Sequence, residues 1–342
     1  MIPISVLDLV MIGEGNTLQH SLADAVRLAQ HVEASGFNRY WVAEHHNMPG
    51  IGSAATTLIM SHLAAHTSNI RIGSGGIMMP NHAALIVAEQ FGTLEALYPG
   101  RIDLGVGRAP GSDSVTSRAI RGTSPAPREL ADDVVQLLDY FTDNGRQPVR
   151  AVPGEYDIPI WVLGSGLYGA QLAAAFGLPF AFASHFAPSL LQQAVYLYRS
   201  TFKASRFLTV PYVMAGVNVF AADTEEEAAF LASSHQQWVA NLHAGKPAPL
   251  PRPMEGFMER LPVHQREGLE RELACTALGT RSQVRRWLLE FAGQFQIDEL
   301  MIDARIYDVE ARCRSYQYAA GALSSRTGEV HPRVASKTYC RR

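Results

Sequence analysis

Residues 70–108 read IRIGSGGIMMPNHAALIVAEQFGTLEALYPGRIDLGVGR. The stretch opens with an apolar run of strand length, IRIGSGGIMM, and closes with another, IDLGVG. Between them apolar residues recur at helical spacing from Ala83 to Leu97, and Pro99 with Gly100 ends the helix. A strand, a helix and a second strand in this order form the repeating unit of proteins built on a parallel sheet.

The alternation extends both ways. Upstream lie the strand candidate PISVLDLV (3–10), a helix carrying Leu18, Leu22, Ala25, Val26, Ala29 and Val32 that stops at Gly36, the strand YWVAEHH (40–46) and a helix from about Ala54 to His66. Downstream come a helix from Leu130 to Phe141 and the strand candidates PIWVLG (159–164), PFAFAS (179–184), AGVNVFAA (215–222) and DELMIDA (298–304). Eight strands alternating with helices, without a linker between them, predict a TIM (β/α)8 barrel of the α/β class. A doubly wound open sheet is the rival arrangement.

The chain has 342 residues, more than the roughly 250 of a minimal barrel. The surplus falls in residues 109–128, rich in Gly, Pro, Ser and Arg, and in 241–275, an expected insertion before the last strand–helix unit. Long segments of this kind sit over the active-site mouth in such barrels. One domain is expected over 1–328, with 329–342 as a disordered tail.

Composition narrows the function. With 29 basic and 32 acidic residues the net charge is -3, so no long-range attraction to nucleic acid or an anionic membrane is built in. The chain holds no apolar stretch of membrane-spanning length and no basic leader, which points to the cytoplasm. Cys275, Cys313 and Cys340 lack CxxC spacing and offer no metal framework. His62 and His66 stand four apart on a helix but lack the Glu of HExxH, so no metal is expected.

In a barrel the C-terminal strand ends face the active site. Here they carry Glu44, His45 and His46; Gly75 and Gly76; Arg108; Gly164, Ser165 and Gly166; and Ser184 with His185. Side chains alternate along a strand, so Glu44 and His46 should point one way and His45 the other. One imidazole in the mouth suits a general base or a hydrogen-bond donor, with the carboxylate fixing its surroundings. A purely structural cluster of histidines is the alternative. Glycines inside the apolar run at 73–76 imply either a bulge or close approach of a flat ligand to bare backbone. Arg108, together with the free N–H groups where LGSG opens a helix, makes an anion site of the kind that holds phosphate. A surface salt bridge would explain Arg108 alone. Neither GxxxxGK[ST] nor GxGxxG after a first strand is present. Met78, Met79, His82, His185 and Phe186 are candidates for a substrate pocket.

YWVAEHH, IGSGGIMMPNHAAL, AEQFGTLEALYPGRIDLGVGRAPG, IPIWVLGSG and DELMI, in this order, resemble the bacterial luciferase-like flavin monooxygenases over about residues 3–325. The resemblance implies a dimeric TIM barrel that binds reduced FMN and activates oxygen as a flavin hydroperoxide to oxygenate an apolar or carbonyl-bearing small molecule. It places the catalytic histidine on His45 beside Glu44, a non-prolyl cis peptide against the ring on Gly75 and Gly76, and the phosphate arginine on Arg108. The phosphate turn falls on Gly164, Ser165, Gly166, Leu167 and Tyr168. Many relatives carry a serine at the position of Gly166, and the light-emitting luciferase subunit has a cysteine at the position of Gly107, so light emission is not implied. With no nicotinamide fingerprint in the chain, a separate NAD(P)H:flavin reductase is the expected supplier of reduced FMN. The expected homodimer surface is the pair of helices between about Ala54 and Leu97, with small residues at Ala54, Ala55, Ala64 and Ala65. A deazaflavin-dependent hydride transferase and a non-catalytic flavin-binding protein are the competing readings.

Overall fold

A computed structural model describes residues 2–121, 129–142, 145–154 and 156–323. Its strands are β1 (Ile4–Asp8), β2 (Arg39–Val42), β3 (Arg71–Ser74), β4 (Ile77–Met78), β5 (Ile102–Gly107), β6 (Ile160–Gly164), β7 (Phe180–Phe182), β8 (Val213–Ala222), β9 (Thr276–Thr280) and β10 (Glu299–Asp303). All pair in parallel, and the sheet closes because β10 pairs with both β1 and β8. The closed order excludes the open doubly wound sheet and makes the molecule a TIM barrel.

The helices are α1 (Leu18–Ala34), α2 (Thr56–Ala65), α3 (Ala84–Leu97), α4 (Ser114–Arg121), α5 (Leu130–Thr142), α6 (Leu167–Phe176), α7 (Leu191–Thr201), α8 (Glu225–His243), α9 (Phe257–Arg260), α10 (Val263–Glu272), α11 (Arg281–Phe295) and α12 (Val309–Leu323). None of the described helices is long and apolar enough to cross a membrane.

Strand periodicity divides the core in two. Val6, Tyr40, Val42, Ile72, Leu104, Val162 and Ile302 face outward into the layer shared with the helices. Leu7, Trp41, Ala43, Trp161, Ala181, Met214 and Met301 face inward, where Trp41 and Trp161 meet edge to face at 5.2 Å between ring centroids. Below them lies a buried charged layer. Arg39 donates to Asp103 at 2.8 Å and to Glu299 at 3.0 Å, and its guanidinium covers Trp161 at 4.8 Å. Arg71 and the Trp41 indole also donate to Asp103, while Ser5 and Tyr212 donate to Glu299. Arg39, Arg71 and Glu299 start their strands and Ser5 and Asp103 stand second in theirs, so the network closes the N-terminal end and the interior space lies at the other.

Four features depart from the sequence reading. The run IRIGSGGIMM serves one barrel position with two short strands: β3 pairs with the start of β5 and β4 with its end, and the Gly75–Gly76 peptide between them is cis. Residues 109–128 are not all loop, since α4 forms there; 122–128 lie outside the described residues. The insertion 241–275 begins inside the last turn of α8 and contains α9 and α10. It leads first to β9, an unanticipated strand that lies outside the barrel and pairs with the overhanging half of β8, Asn218–Ala222. The tail 329–342 lies outside the described residues.

Candidate active site

A cavity of about 480 Å3 lies at the C-terminal strand ends, within the roughly 300–1,000 Å3 typical of cofactor and small-molecule sites. His45 keeps the inward parity of Trp41 and Ala43 and lines the cavity. Glu44 takes the opposite direction. It is fully buried, does not line the cavity, and accepts hydrogen bonds from His46 Nε2 at 2.8 Å, His82 Nε2 at 2.9 Å, Asn81 Nδ2 at 3.0 Å and the Met78 N–H at 2.9 Å. Burial by itself would raise its pKa, but the donors, His82 and Asn81 first, outweigh that and hold the carboxyl below its ordinary value. Glu44 therefore ties the strand end to the loop after β4. It also holds His82, which the sequence pattern put in the substrate pocket, outside the cavity lining.

His45 is half-buried, and burial followed by the positive charge of Arg305 pushes its pKa down to about 4. An imidazole held uncharged at neutral pH can serve as a base or as a neutral hydrogen-bond partner.

The β3–β6 side of the cavity is bare backbone. Gly75, Gly107 and Gly164 line it together with Met78 and Leu163. A Cβ on Gly75 would come within 2.6 Å of Leu7 Cδ1, and one on Gly107 within 3.1 Å of Met78 Sδ. Gly76 points away from the cavity, where a Cβ would meet the Gly105 carbonyl at 2.8 Å.

At the outer edge of this wall Arg108 is exposed, its guanidinium 4.5 Å above the Tyr168 ring, and Tyr168 donates to Glu129 at 3.3 Å. Ser165, Gly166 and Tyr168 line the same corner, whereas Leu167 does not. Gly166 precedes α6 in an extended conformation with no side chain capping the helix. The first N–H groups of α6 therefore have no intrahelical acceptor. A Cβ on Gly166 would meet nothing within 4 Å, which leaves room for a ligand to approach them.

The opposite wall holds residues from β7, α8 and β10. His185 lies so close on Gly216 that a Cβ there would overlap the imidazole. Its loop is held by Ser184 Oγ donating to the Gly216 carbonyl at 2.6 Å and by Asn218 Nδ2 donating to the His185 carbonyl at 2.7 Å. Phe186 packs edge to face on His185 at 4.9 Å and lines the mouth. Beside them stand three lining residues that the sequence pattern did not single out: His235 and Trp238 from α8, and Arg305 just past β10. Burial pushes His185 to about 4 and His235 to about 3. Arg305 was open to the strand-end rule, being two residues beyond DELMID; His235 sits mid-helix and carries no comparable signal.

The luciferase-like monooxygenase model matches residues 2–295. The chain belongs to this family. A luciferase-like monooxygenase of Escherichia coli (strain K12) is 46% identical over 321 residues, covering 93% of this chain and 96% of that protein. The N-acetyl-S-alkylcysteine monooxygenase of Bacillus subtilis (strain 168) is 31% identical, covering 94% of this chain and 98% of its own length. The crystal structure of apo-MsnO8 superposes with a TM-score of 0.84 at 30% identity, covering 94% of this chain and 98% of that chain. In this luciferase-like monooxygenase the glycine wall, His45 and the Arg108 corner open into one cavity, while Glu44, Gly76, Leu167 and His82 stand behind it.

Proposed function

We propose that this chain is an FMN-dependent monooxygenase that takes reduced FMN and O2 and oxygenates an apolar or carbonyl-bearing small molecule. The observation that carries the reading is the opposed parity of Glu44 and His45, which puts His45 alone of the EHH motif into a cavity with a bare glycine wall and an anion corner. The residues present suit FMN. Gly75, Gly107 and Leu163 would take the flat ring, and Arg108, Ser165 and the α6 N–H groups would take a single phosphate. Arg108 is the one basic residue among the described lining residues at that corner. One guanidinium matches a phosphate monoester better than the polyanionic tail of a deazaflavin, which favours FMN over that cofactor.

Bound reduced FMN supplies the electrons that activate oxygen. The protein supplies orientation, water exclusion and a proton-handling group. His45, uncharged at neutral pH, accepts or shares a proton at the ring nitrogen that faces the cavity, and Glu44 keeps the strand end beneath it in place. Ala109 and Gly111 from the loop before α4, and Glu272 and Leu273 from the insertion, line the mouth and restrict water.

A separate NAD(P)H:flavin reductase delivers the reduced FMN in the cytoplasm, and the chain works as a homodimer through α2 and α3. The exposed Leu58, Ile86 and Leu97 on those helices support that surface. The test is His45→Ala supplied with chemically reduced FMN and O2. Oxygenation should fall by about a hundredfold or more while FMN affinity stays within about twofold. Undiminished turnover would remove His45 from the reaction, and failure of the wild-type chain to bind FMN would remove the whole reading.

A further inference from the structure

The cavity has a second cationic anchor that the flavin reading does not use. In the barrel order β5 and β6, which lead into Arg108 and the phosphate turn, lie across the mouth from β10, which leads into Arg305. A phosphate held at Arg108 is therefore on the wrong wall to meet Arg305.

Arg305 is buried yet lines the cavity. Its Nε and Nη2 are held by Asp303 Oδ2 at 2.9 and 2.8 Å, and its guanidinium plane is covered by Trp238 at 4.6 Å. Nη1 makes no hydrogen bond or ion pair among the described residues. His185 and His235 flank it, each with Nδ1 buried and unpartnered, which leaves Nε2 as the nitrogen able to meet a ligand. Among the described residues the one acid in direct contact, Asp303, is itself buried, and its second oxygen is enclosed. Glu272 lines the mouth but is engaged by His243 at 2.5 Å. His45, close enough to feel the charge of Arg305, also lines this cavity, and the other surroundings, Leu9, Val239, Leu242, Leu273 and Met301, are apolar.

A guanidinium fixed on one edge and one face, offering its other edge between two imidazoles, is built to bind a planar oxyanion. We propose that this wall recognises the carboxylate of an otherwise apolar substrate, with Arg305 as the principal donor and His185 and His235 as its neighbours. The inference rests on the flavin reading for what happens to the substrate, but the recognition itself does not depend on it.

The test is calorimetric titration of octanoate and 1-octanol, equal in chain length, into the full chain with and without saturating FMN at about pH 7.5. Octanoate should bind about tenfold or more tightly than octanol, in line with a charge-assisted hydrogen bond in a dry site. Arg305→Gln should abolish that ratio, and Arg305→Lys should keep part of it. FMN affinity should be unchanged in both. Because Arg305→Gln leaves Asp303 buried without its cation, the double variant Asp303→Asn/Arg305→Gln provides the same reading in a neutralised site. Equal affinity for the two probes in the wild type, or a ratio that survives in the double variant, overturns the proposal. Loss of FMN binding by the wild type would sink the flavin reading and leave the probe ratio readable on the cofactor-free chain.

Discussion

Acidification from pH 7 to pH 5 should cost the protein roughly 2 kcal/mol of stability for each of His185 and His235. Both rings are buried, and burial moves them from an ordinary value of 6.5 down to about 4 and about 3. Across this interval the unfolded imidazole takes up a proton and the folded one does not, so the unfolded state binds more protons and stability falls with pH. The contribution is complete above pH 6.5, declines as pH falls, and levels off only near the folded values. His45 shifts in the same direction but is partly open to solvent, so it adds less. The carboxyls held low in the fold, Asp303, Asp103 and Glu44, respond below their ordinary values of 3.8 and 4.5 and leave the window clear. The two buried rings together amount to about 4 kcal/mol, a large part of the roughly 5–15 kcal/mol that holds a domain together. Urea unfolding of the wild type and of His235→Gln at pH 7, 6 and 5 measures the effect. The variant should lose about half as much as the wild type over the same range. Equal wild-type stability at pH 7 and 5, or a variant with the full wild-type slope, would refute the assignment of these rings as buried neutral groups.

Two further substitutions probe the remaining parts of the site. Arg108→Ala should weaken FMN by about ten- to a hundredfold and riboflavin by far less, since only FMN carries the phosphate; equal losses in a fluorescence titration would take the phosphate away from Arg108. Glu44→Gln removes the ionised acceptor shared by His46, His82, Asn81 and the Met78 N–H, and should cost about 2–4 kcal/mol in thermal unfolding. An unchanged melting temperature would show that the clamp does not hold the strand end.

Much of this protein can be read locally. The period of two along β2 is enough to separate Glu44 from His45, because the pleat sends successive side chains to opposite faces. The glycines at the strand ends, Gly75, Gly107 and Gly164, mark the backbone wall, since a Cβ there would stand where a neighbour or a ligand comes close. Helix and strand alternation gives the succession of parallel strand–helix units, because each unit is set by neighbours a few residues away.

The remaining features depend on closure. Whether the eighth position pairs back to the first, as β10 does with β1 and β8, is a matter of register across the whole sheet. That closure brings His185, His235 and Arg305 to one wall from segments 50 to 120 residues apart, and no periodicity along the chain encodes their meeting. It also turns His82 towards Glu44 and away from the cavity, and it leaves β9 with no place in the barrel beside the overhanging half of β8. The strands, their facing and the glycine wall thus follow from the local order of residues, being set by short-range sterics and side-chain alternation. The wall opposite Arg108 follows from the closed barrel, because it exists only where distant strand ends converge.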